Sequence, residues 1–587
     1  MTNGDIARVF ERIAMLLDLK GKENPFRIRA YERAVQVIGN LPNDVRGIYD
    51  HGGLDAIKEI PGIGDDLAQK IEELLKTGKL SSLAKLESKI PKGLLEIMHI
   101  EGIGPKKTKF LWKKFKIKSI SQLKCLAESG KLTRLKGWGD KSVANMLKGI
   151  EFHKKAGSRL LIHDALPLAQ ELVGHLQKTN LCNAIEIAGS LRRRRETCGD
   201  IDILATSNHP TSVMDTFCSL PHVARILAKG ITKASVFLYA GIDADLRIVD
   251  PAVFGAALYH FTGSKDHNVH VRKIAVQRGL TISEYGIFKG TAKRKGKLLA
   301  AKTERDVFAA LNLPYIEPEL REDRGEIEAA TAGRLPELIQ EKHLRGDLHT
   351  HSTFSDGSAS IIEMARAAKE KGHKYIAITD HASGMGMVFG IKQNNIKNYL
   401  AKIQKARLAV PGIHILAGAE VDILADGSLY LPDSVLANLD IVVASIHQNF
   451  RQSRSQATKR ILRVLENPYV HILGHPTSRI IGKREEVDLD IDAVIRAAKK
   501  YGKAVELNAS PDRLDLNDVH LKRAKELGVK ICINSDAHSS SGLSYRYGMF
   551  QARRGWIEKK DILNTLPWEK LKEWLNKGSH PPFKGEG

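Results

Sequence analysis

Two groups of residues in this 587-residue chain have the types and spacing to do chemistry. In the first, Asp200-Ile201-Asp202 alternates carboxylates with an apolar residue. On a β-strand residues two apart share a face, so the two carboxylates project together. Hard divalent cations take such oxygen ligands, and two cations about 4 Å apart drive in-line phosphoryl displacement. A second alternating run, Asp243-Ala244-Asp245-Leu246-Arg247-Ile248-Val249, can supply a third carboxylate from a neighbouring strand. An isolated pair of this kind is most often a solvent-facing strand edge. Here Gly189 and Ser190 precede it, with Arg192, Arg193, Arg194 and Arg195 close behind. Backbone amides, a hydroxyl and guanidinium groups beside paired carboxylates are what a triphosphate requires.

The second group lies in the C-terminal half. Short apolar runs end in Asp347-Leu348-His349-Thr350-His351, Thr379-Asp380-His381, Gly418-Ala419-Glu420, Ser445-Ile446-His447, Gly474-His475 and Ser535-Asp536-Ala537-His538. One histidine after a strand is usually a satisfied residue at the edge of a core. Six strand ends that all carry His, Asp or Glu are not explained that way. Mixed imidazole and carboxylate ligands suit Zn²⁺ or Mn²⁺ better than Mg²⁺ alone, and there are more of them than one ion can use, so two or three metals are implied.

These residues need elements to place them. Ala184–Ala188 reads as a strand leading into a Gly-Ser turn, and Asp200–Leu204 as the strand that follows. From Leu344 onward, apolar runs alternate with amphipathic helices at Ile361–Lys371, Gln456–Glu466, Asp492–Tyr501 and Val519–Leu527, which implies a parallel sheet or βα barrel. Active sites of such barrels gather at the C-terminal strand ends, so the second group converges on one rim. Toward the N-terminus, Ile60-Pro61-Gly62-Ile63-Gly64, Ile100-Glu101-Gly102-Ile103-Gly104 and Leu135-Lys136-Gly137-Trp138-Gly139 repeat one pattern, each before a helix-favouring stretch. Paired glycines permit a tight turn that leaves N–H groups at the start of the second helix, where a phosphate can be held without reading sequence.

The formal net charge is +23, which calls for a polyanionic partner. Residues 1–100 are balanced, whereas residues 101–150, which contain two of the three glycine turns, carry an excess of +10. With 42% hydrophobic residues the chain can build several cores, which excludes disorder over most of its length. Five scattered cysteines with no CxxC pair fit a reducing cytoplasm. The N-terminal segment lacks a signal-peptide core and no run approaches the ~20 apolar residues of a spanning helix, so no membrane role is expected.

The three glycine turns resemble helix-hairpin-helix elements, which bind the DNA backbone; this implies DNA contacts at Gly62, Gly64, Gly102, Gly104, Lys106, Gly137 and Gly139. The Gly189–Leu204 block resembles the nucleotidyltransferase palm, specifically that of family X DNA polymerases. The likeness extends through Phe261-Thr262-Gly263-Ser264, Asn268, Arg272 and Leu280–Gly286, which is similar to the nucleotide-binding subdomain of DNA polymerase beta. The resemblance implies Asp200, Asp202 and Asp245 as ligands of Mg²⁺ or Mn²⁺, with Asp245 also activating the primer 3′-hydroxyl. It implies Gly189, Ser190 and Arg193 at the triphosphate of the incoming dNTP and the Phe261–Gly263 turn under its sugar. Asn268 would meet the base from the minor-groove side, and Arg272 the template strand. His260 stands where the family has tyrosine, and Asp243 where it has arginine. Residues 1–85 resemble the family's small lyase domain through Arg29–Ala34 and Pro61–Lys70, with Lys70 at the Schiff-base position and Asp66 replacing a basic residue; 5′-deoxyribose-phosphate lyase activity is the expectation this raises.

The C-terminal series resembles the polymerase-and-histidinol-phosphatase (PHP) domain. That implies His349, His351, Asp356, His381, Glu420, His447, His475, Asp536 and His538 as ligands of two or three Mn²⁺ or Zn²⁺ ions, and a phosphoesterase working at DNA 3′-ends, with abasic sites as a further substrate class.

The expected architecture is multidomain α+β and α/β. A lyase-like helical domain (1–85) and a helical DNA-binding subdomain (86–155), each with helix-hairpin-helix elements, precede a mixed-sheet palm (156–255) and a nucleotide-binding subdomain (256–316). A linker (317–342), with six acidic residues from Glu317 to Glu328, leads to a distorted βα barrel (343–587). The expected activity is gap-filling DNA synthesis during repair, including base excision repair, combined with metal-dependent 3′–5′ exonuclease action. Gapped or primer–template DNA and dNTPs are the partners, at the nucleoid of a bacterial cytoplasm. The alternative is a DNA 3′-nuclease or phosphatase whose palm only binds DNA. Oligomeric state is left open, and a monomer suffices.

Overall fold

The computed structural model describes the chain except for residues 1–2, 21–24, 40, 42–44, 61, 89, 92, 99, 101–102, 134, 136–137, 140–141, 145, 148–149, 151–158, 292–293, 385–389 and 579–587. Among the described residues no helix is long and apolar enough to cross a membrane.

Helices dominate the N-terminal region. Two buried clusters form there, one around Phe10, Tyr31 and Ile71, the other around Leu94, Leu111 and Trp138. The first helix, Asn3–Lys20, feeds both, since Leu17 packs in one and Leu16 and Leu19 in the other. The two helical units therefore share an element.

The palm is a five-stranded mixed sheet. Its strands, in spatial order, are Ala184–Ile187, Asp200–Thr206, Asp243–Ile248, Lys233–Leu238 and Val223–Lys229. The two acidic strands run parallel and in register, with Asp200 opposite Asp243 and Asp202 opposite Asp245. Their apolar residues Ile201, Ile203, Ala244 and Leu246 are buried in the core beneath. This period-two alternation fixes which face the carboxylates occupy. The expected Gly-Ser turn is instead a single helical turn, Gly189–Arg192. Beyond the palm, a three-stranded antiparallel sheet (Leu280–Ser283, Gly286–Gly290, Lys295–Ala300) joins the helices Phe254–Thr262, Lys265–Gln277 and Glu304–Ala310.

Residues 317–342, expected as a tether, are packed. Two short helices, Pro318–Leu320 and Glu326–Thr331, bury Leu320, Ile327, Arg321, Glu319 and Glu326. Glu319 and Glu322 are held in ion pairs with Arg553 and Arg554, whereas Asp323 and Glu328 stay exposed.

The C-terminal domain is a parallel barrel, with strands Gly346–Thr350, Tyr375–Ile378, His414–Asp422, Ile441–Ser445, Ile472–Leu473, Ala504–Asn508 and Lys530–Asn534 in that spatial order. Backbone bonds from His351 N to Ala537 O (2.8 Å) and Asp536 N to His349 O (3.1 Å) draw the last strand's exit against the first strand. Most strand residues are buried, as expected when both faces are covered. One core cluster takes helices such as Ile361–Glu370, started by a Ser360/Glu363 capping box. The other holds the alternate strand residues Leu348, Ala377, Val443 and Cys532 with Leu571 and Leu575 of the helix Trp568–Gly578.

Candidate functional sites

In the palm, Asp202 and Asp245 meet as register partners of adjacent strands, and Asp200 lies two residues along the same face. Burial, together with the neighbouring charges of Asp200 and Asp245, raises Asp202 to about 6. Three carboxylates so placed repel one another, and cations between them would remove the repulsion. Lys233 Nζ, which the sequence did not single out, sits 3.0 Å from Asp245 Oδ2.

Gly189 is at φ +60°, and a Cβ there would strike the Asp202 carboxylate. Only glycine therefore lets the chain turn over the acidic strand. The cleft beside the carboxylates is lined by Gly189, Ser190, Arg193, Asp200, Asp202, Phe261, Gly263, Asn268 and Arg272, bringing together residues expected from separate segments. His260, Lys265 and Val269 complete it. Lys265, the first residue of its helix after the Ser264 cap, was missed; a lysine beside a capping serine is the signal that could have found it. The Ser190 hydroxyl is buried without a hydrogen-bond partner among the described residues. Asn268 donates to the His260 carbonyl at 2.8 Å, and its own Oδ1 is buried with no hydrogen-bond partner among the described residues. A buried polar atom without a partner costs about 1–3 kcal/mol, so both atoms suit a bound ligand.

In the barrel, Glu420 is central. Its Oε1 lies 2.8 Å from His475 Nε2, 3.2 Å from His447 Nε2 and 3.5 Å from His349 Nε2; its Oε2 lies 2.8 Å from His381 Nδ1. Asp536 Oδ1 is 3.1 Å from His351 Nε2 and 3.7 Å from His349 Nε2. Asp356 approaches His538 Nε2 at 3.4 Å and His381 Nε2 at 3.5 Å. All nine expected ligands converge, and three overlapping groups are close enough to hold an ion each: His351/Asp356/His381/His538, His349/His351/Asp536 and His381/Glu420/His447. For metal–ligand bonds of about 2.0–2.1 Å, tetrahedral ligand atoms sit about 3.4 Å apart, which these separations approach.

The donor chemistry fits bound metal on a second ground. His349 Nε2, both ring nitrogens of His351 and His475 Nδ1 are buried without a hydrogen-bond partner among the described residues. Burial, with His538 and His381 close by, depresses His351 to about 3, the neutral form a metal needs. Burial would also depress His447, but Glu420 and Asp422 outweigh it and hold the ring at about 9. Crowded imidazolium–carboxylate pairs are the metal-free alternative to shared cations.

An outer layer escaped the sequence reading. Glu506 Oε1 holds His349 Nδ1 at 2.8 Å, Asp422 Oδ1 holds His447 Nδ1 at 2.7 Å, and Asn508 donates to Asp536 at 2.9 Å. Such partners fix the histidine tautomer and orientation. Glu506 and Asn508 alternate on Ala504–Asn508, the same period-two signal that marks Asp200 and Asp202.

The glycine turns are alike where they are described. Ile63 N, Ile103 N and Trp138 N donate to the carbonyls three residues earlier, at 3.0, 2.9 and 3.0 Å. Gly64 and Gly104 then begin the helices Asp65–Thr77 and Pro105–Phe115, while the Gly139 carbonyl accepts from Ser142 and Val143. A Cβ at Gly64, Gly104 or Gly139 would meet nothing within 4 Å among the described residues, so they leave the backbone there open to a ligand. Gly62 has φ +93°, and Lys106 is exposed in the first turn after Gly104. Gly102 and Gly137 lie outside the described residues. Lys70 pairs with Asp66, and its Nζ lies 5.9 Å from the centre of the Tyr31 ring.

Family models match four stretches: a helix-hairpin-helix domain over residues 1–80, a SAM-like helix-hairpin-helix tandem over 94–151, the DNA polymerase beta thumb over 257–322 and the PHP domain over 347–510. The DNA polymerase/3′-5′ exonuclease PolX of Bacillus subtilis (strain 168) is 38% identical over 580 residues, covering 98% of this chain and 100% of the relative. A probable phosphatase of Thermoanaerobacter sp. (strain X514) is 38% identical over 246 residues, 39% of this chain and 93% of its own. DNA polymerase lambda of Rattus norvegicus is 26% identical over 351 residues, 54% of this chain and 56% of its own. The full-length likeness and the order of the matched domains agree with the geometry of both sites: the chain belongs to the family X DNA polymerases that carry helix-hairpin-helix domains and a C-terminal PHP domain.

Proposed function

We propose that this protein is a DNA-directed DNA polymerase that fills short gaps and, through its barrel, a 3′–5′ exonuclease that trims DNA ends. The observation that carries the reading is the in-register placement of Asp202 against Asp245, with Asp200 on the same face, where Asp200 and Asp202 line one cleft with Ser190, Arg193 and Asn268. Asp200, Asp202 and Asp245 would hold Mg²⁺ or Mn²⁺, and the nine barrel ligands two or three Mn²⁺ or Zn²⁺ ions; bound there, such cations supply charge neutralisation and Lewis acidity at phosphorus.

The chain's own residues do the rest. Asp245 takes the proton of the primer 3′-hydroxyl at a carboxylate oxygen. Ser190 and Arg193 orient the triphosphate of the dNTP, the Phe261–Gly263 turn supports its sugar, Asn268 meets its base and Arg272 the template. The helix-hairpin-helix turns grip DNA phosphates through backbone N–H groups and Lys106, independently of sequence. In the barrel, Glu420, the histidines and Asp356 would hold the cations that neutralise the phosphodiester, while Glu506 and Asp422 keep the rings of His349 and His447 oriented. The place of work is the bacterial cytoplasm, on gapped or primer–template DNA. A Lys70 lyase step requires its amine released from Asp66, and borohydride trapping on an abasic substrate tests it.

Primer extension and degradation on gapped DNA, with Mg²⁺ and then Mn²⁺, test the whole reading. D200A/D202A is expected to abolish extension and keep trimming. Wild-type protein that degrades but never extends would replace this reading with a nuclease whose palm only holds DNA.

A further inference from the structure

The loop that follows the nucleotide cleft is gripped by the barrel. Arg193 Nε donates to Glu322 at 3.1 Å, and the Arg193 carbonyl accepts from Arg554 Nη1 at 2.7 Å. The same Arg554 Nη1 reaches Glu322 at 2.9 Å, while its Nη2 donates to Asp518 at 2.6 Å. Next along the loop, Arg194 stacks over the Phe550 ring at 4.7 Å, and Glu196 receives Arg479 at 2.7 Å and Gln551 at 3.2 Å. Phe550, Gln551 and Arg554 all belong to the barrel helix Arg546–Arg554. Arg554 is 3% exposed, so its own bonds are largely shielded from water, which strengthens them.

An arginine that binds triphosphate from a flexible loop must first lose its rotamer and backbone freedom. Here the protein's own contacts supply that ordering. Arg193 spends Nε on Glu322 and Nη1 on the Thr262 carbonyl, which leaves its Nη2 amine for a phosphate oxygen. We infer that Arg554, a residue of the phosphoesterase domain, is a positioning residue for the polymerase reaction: with Glu322 it holds the Arg193 loop in the shape that receives the triphosphate of the incoming dNTP. The inference rests on Arg193 contacting that triphosphate.

Full-length R554Q, R554K, R193A and the double variant R193A/R554Q would be assayed for dNTP KM and kcat on gapped DNA, for 3′-trimming and for thermal midpoint. R554Q is expected to raise the dNTP KM about tenfold, with kcat and trimming within about threefold of wild type. R554K keeps the buried charge but cannot bridge Glu322 and Asp518 together, so it should fall between, and it carries the test if R554Q melts early. The double variant should be no worse than R193A alone, because Arg554 acts through Arg193. Unchanged KM in R193A would overturn the Arg193 reading itself. Raised KM in R193A with normal KM in both Arg554 variants would overturn only the present inference. Parallel losses of kcat and trimming in R554K would also overturn it, reducing Arg554 to a general structural contact.

Discussion

Gly189→Ala isolates the geometry on which the proposed nucleotide transfer depends. At φ +60° an alanine costs about 1–2 kcal/mol of left-handed strain. Its methyl would also lie 3.1 Å from Asp202 Cγ and 3.3 Å from Asp202 Cβ, with the carboxylate oxygen closer still. The backbone of the acidic strand cannot retreat, because Ala188 N donates to Asp202 O at 2.8 Å and the strand is paired on both sides. The carboxylate must therefore swing away from its place beside Asp245. A displacement of about 1 Å in a reacting group costs about 10²-fold in rate, so extension should fall by about that factor. Gly241→Ala is the control: Gly241 has φ +84° and open space around a Cβ, so it pays the strain without the collision. Extension and trimming would be measured on one gapped substrate, with thermal midpoints for all three proteins. Similar melting of the two variants, loss of extension only in Gly189→Ala and normal trimming in both are expected. If Gly189→Ala extends primers within about threefold of Gly241→Ala, the claim that Asp202 is held in place by the missing side chain is refuted.

Glu304 ties the palm to the thumb: burial alone would raise its carboxyl, but Arg192 and Arg321 outweigh that and hold it at about 2. Against an ordinary 4.5, this depressed value contributes about 3 kcal/mol that is fully present above pH ~4.5 and is lost as pH falls toward 2. E304Q should be less stable at pH 7 and should show a flatter acid limb in chemical denaturation; a limb parallel to wild type would count against the pairing. In the barrel, E420Q should reduce trimming by about 10²-fold or more while extension persists, and E506Q should weaken metal binding about 10–100-fold, read by titrating metal into chelator-treated protein. For DNA binding, Lys106→Ala should reduce the slope of log affinity against log salt by about 1 on gapped DNA; an unchanged slope would remove Lys106 from the phosphate contacts.

The shared faces of the proposed reacting groups were legible because strand periodicity is local. Asp200 and Asp202 announce a shared face by alternating with Ile201 and Ile203, and the barrel histidines announce a rim by ending successive apolar runs. Glu506 carried the same alternating signal but sat inside a strand rather than at its end, beside an asparagine rather than a histidine, so nothing in its own segment named its partner. That partner, His349, lies 157 residues away in the chain. Turn geometry was legible only in kind: Gly189-Ser190 signalled a turn, while the helical turn they begin depends on the acidic strand beneath.

Charge between domains was read with the wrong sign of exposure. Residues Glu317–Glu328 concentrate six acidic groups with few apolar neighbours, and a local rule assigns such a run to solvent. Burial reverses that rule, because a buried carboxylate is tolerable only when paired. The matching cations were present in the same sequence, as the run Arg192–Arg195 and the group Arg546, Arg553 and Arg554. The ion pairs of Glu322 with Arg193 and Arg554, and of Glu319 with Arg553, join these stretches. Here an acidic run meets two arginine-rich segments in a charged interface, and one of its arginines, Arg193, also lines the proposed nucleotide cleft.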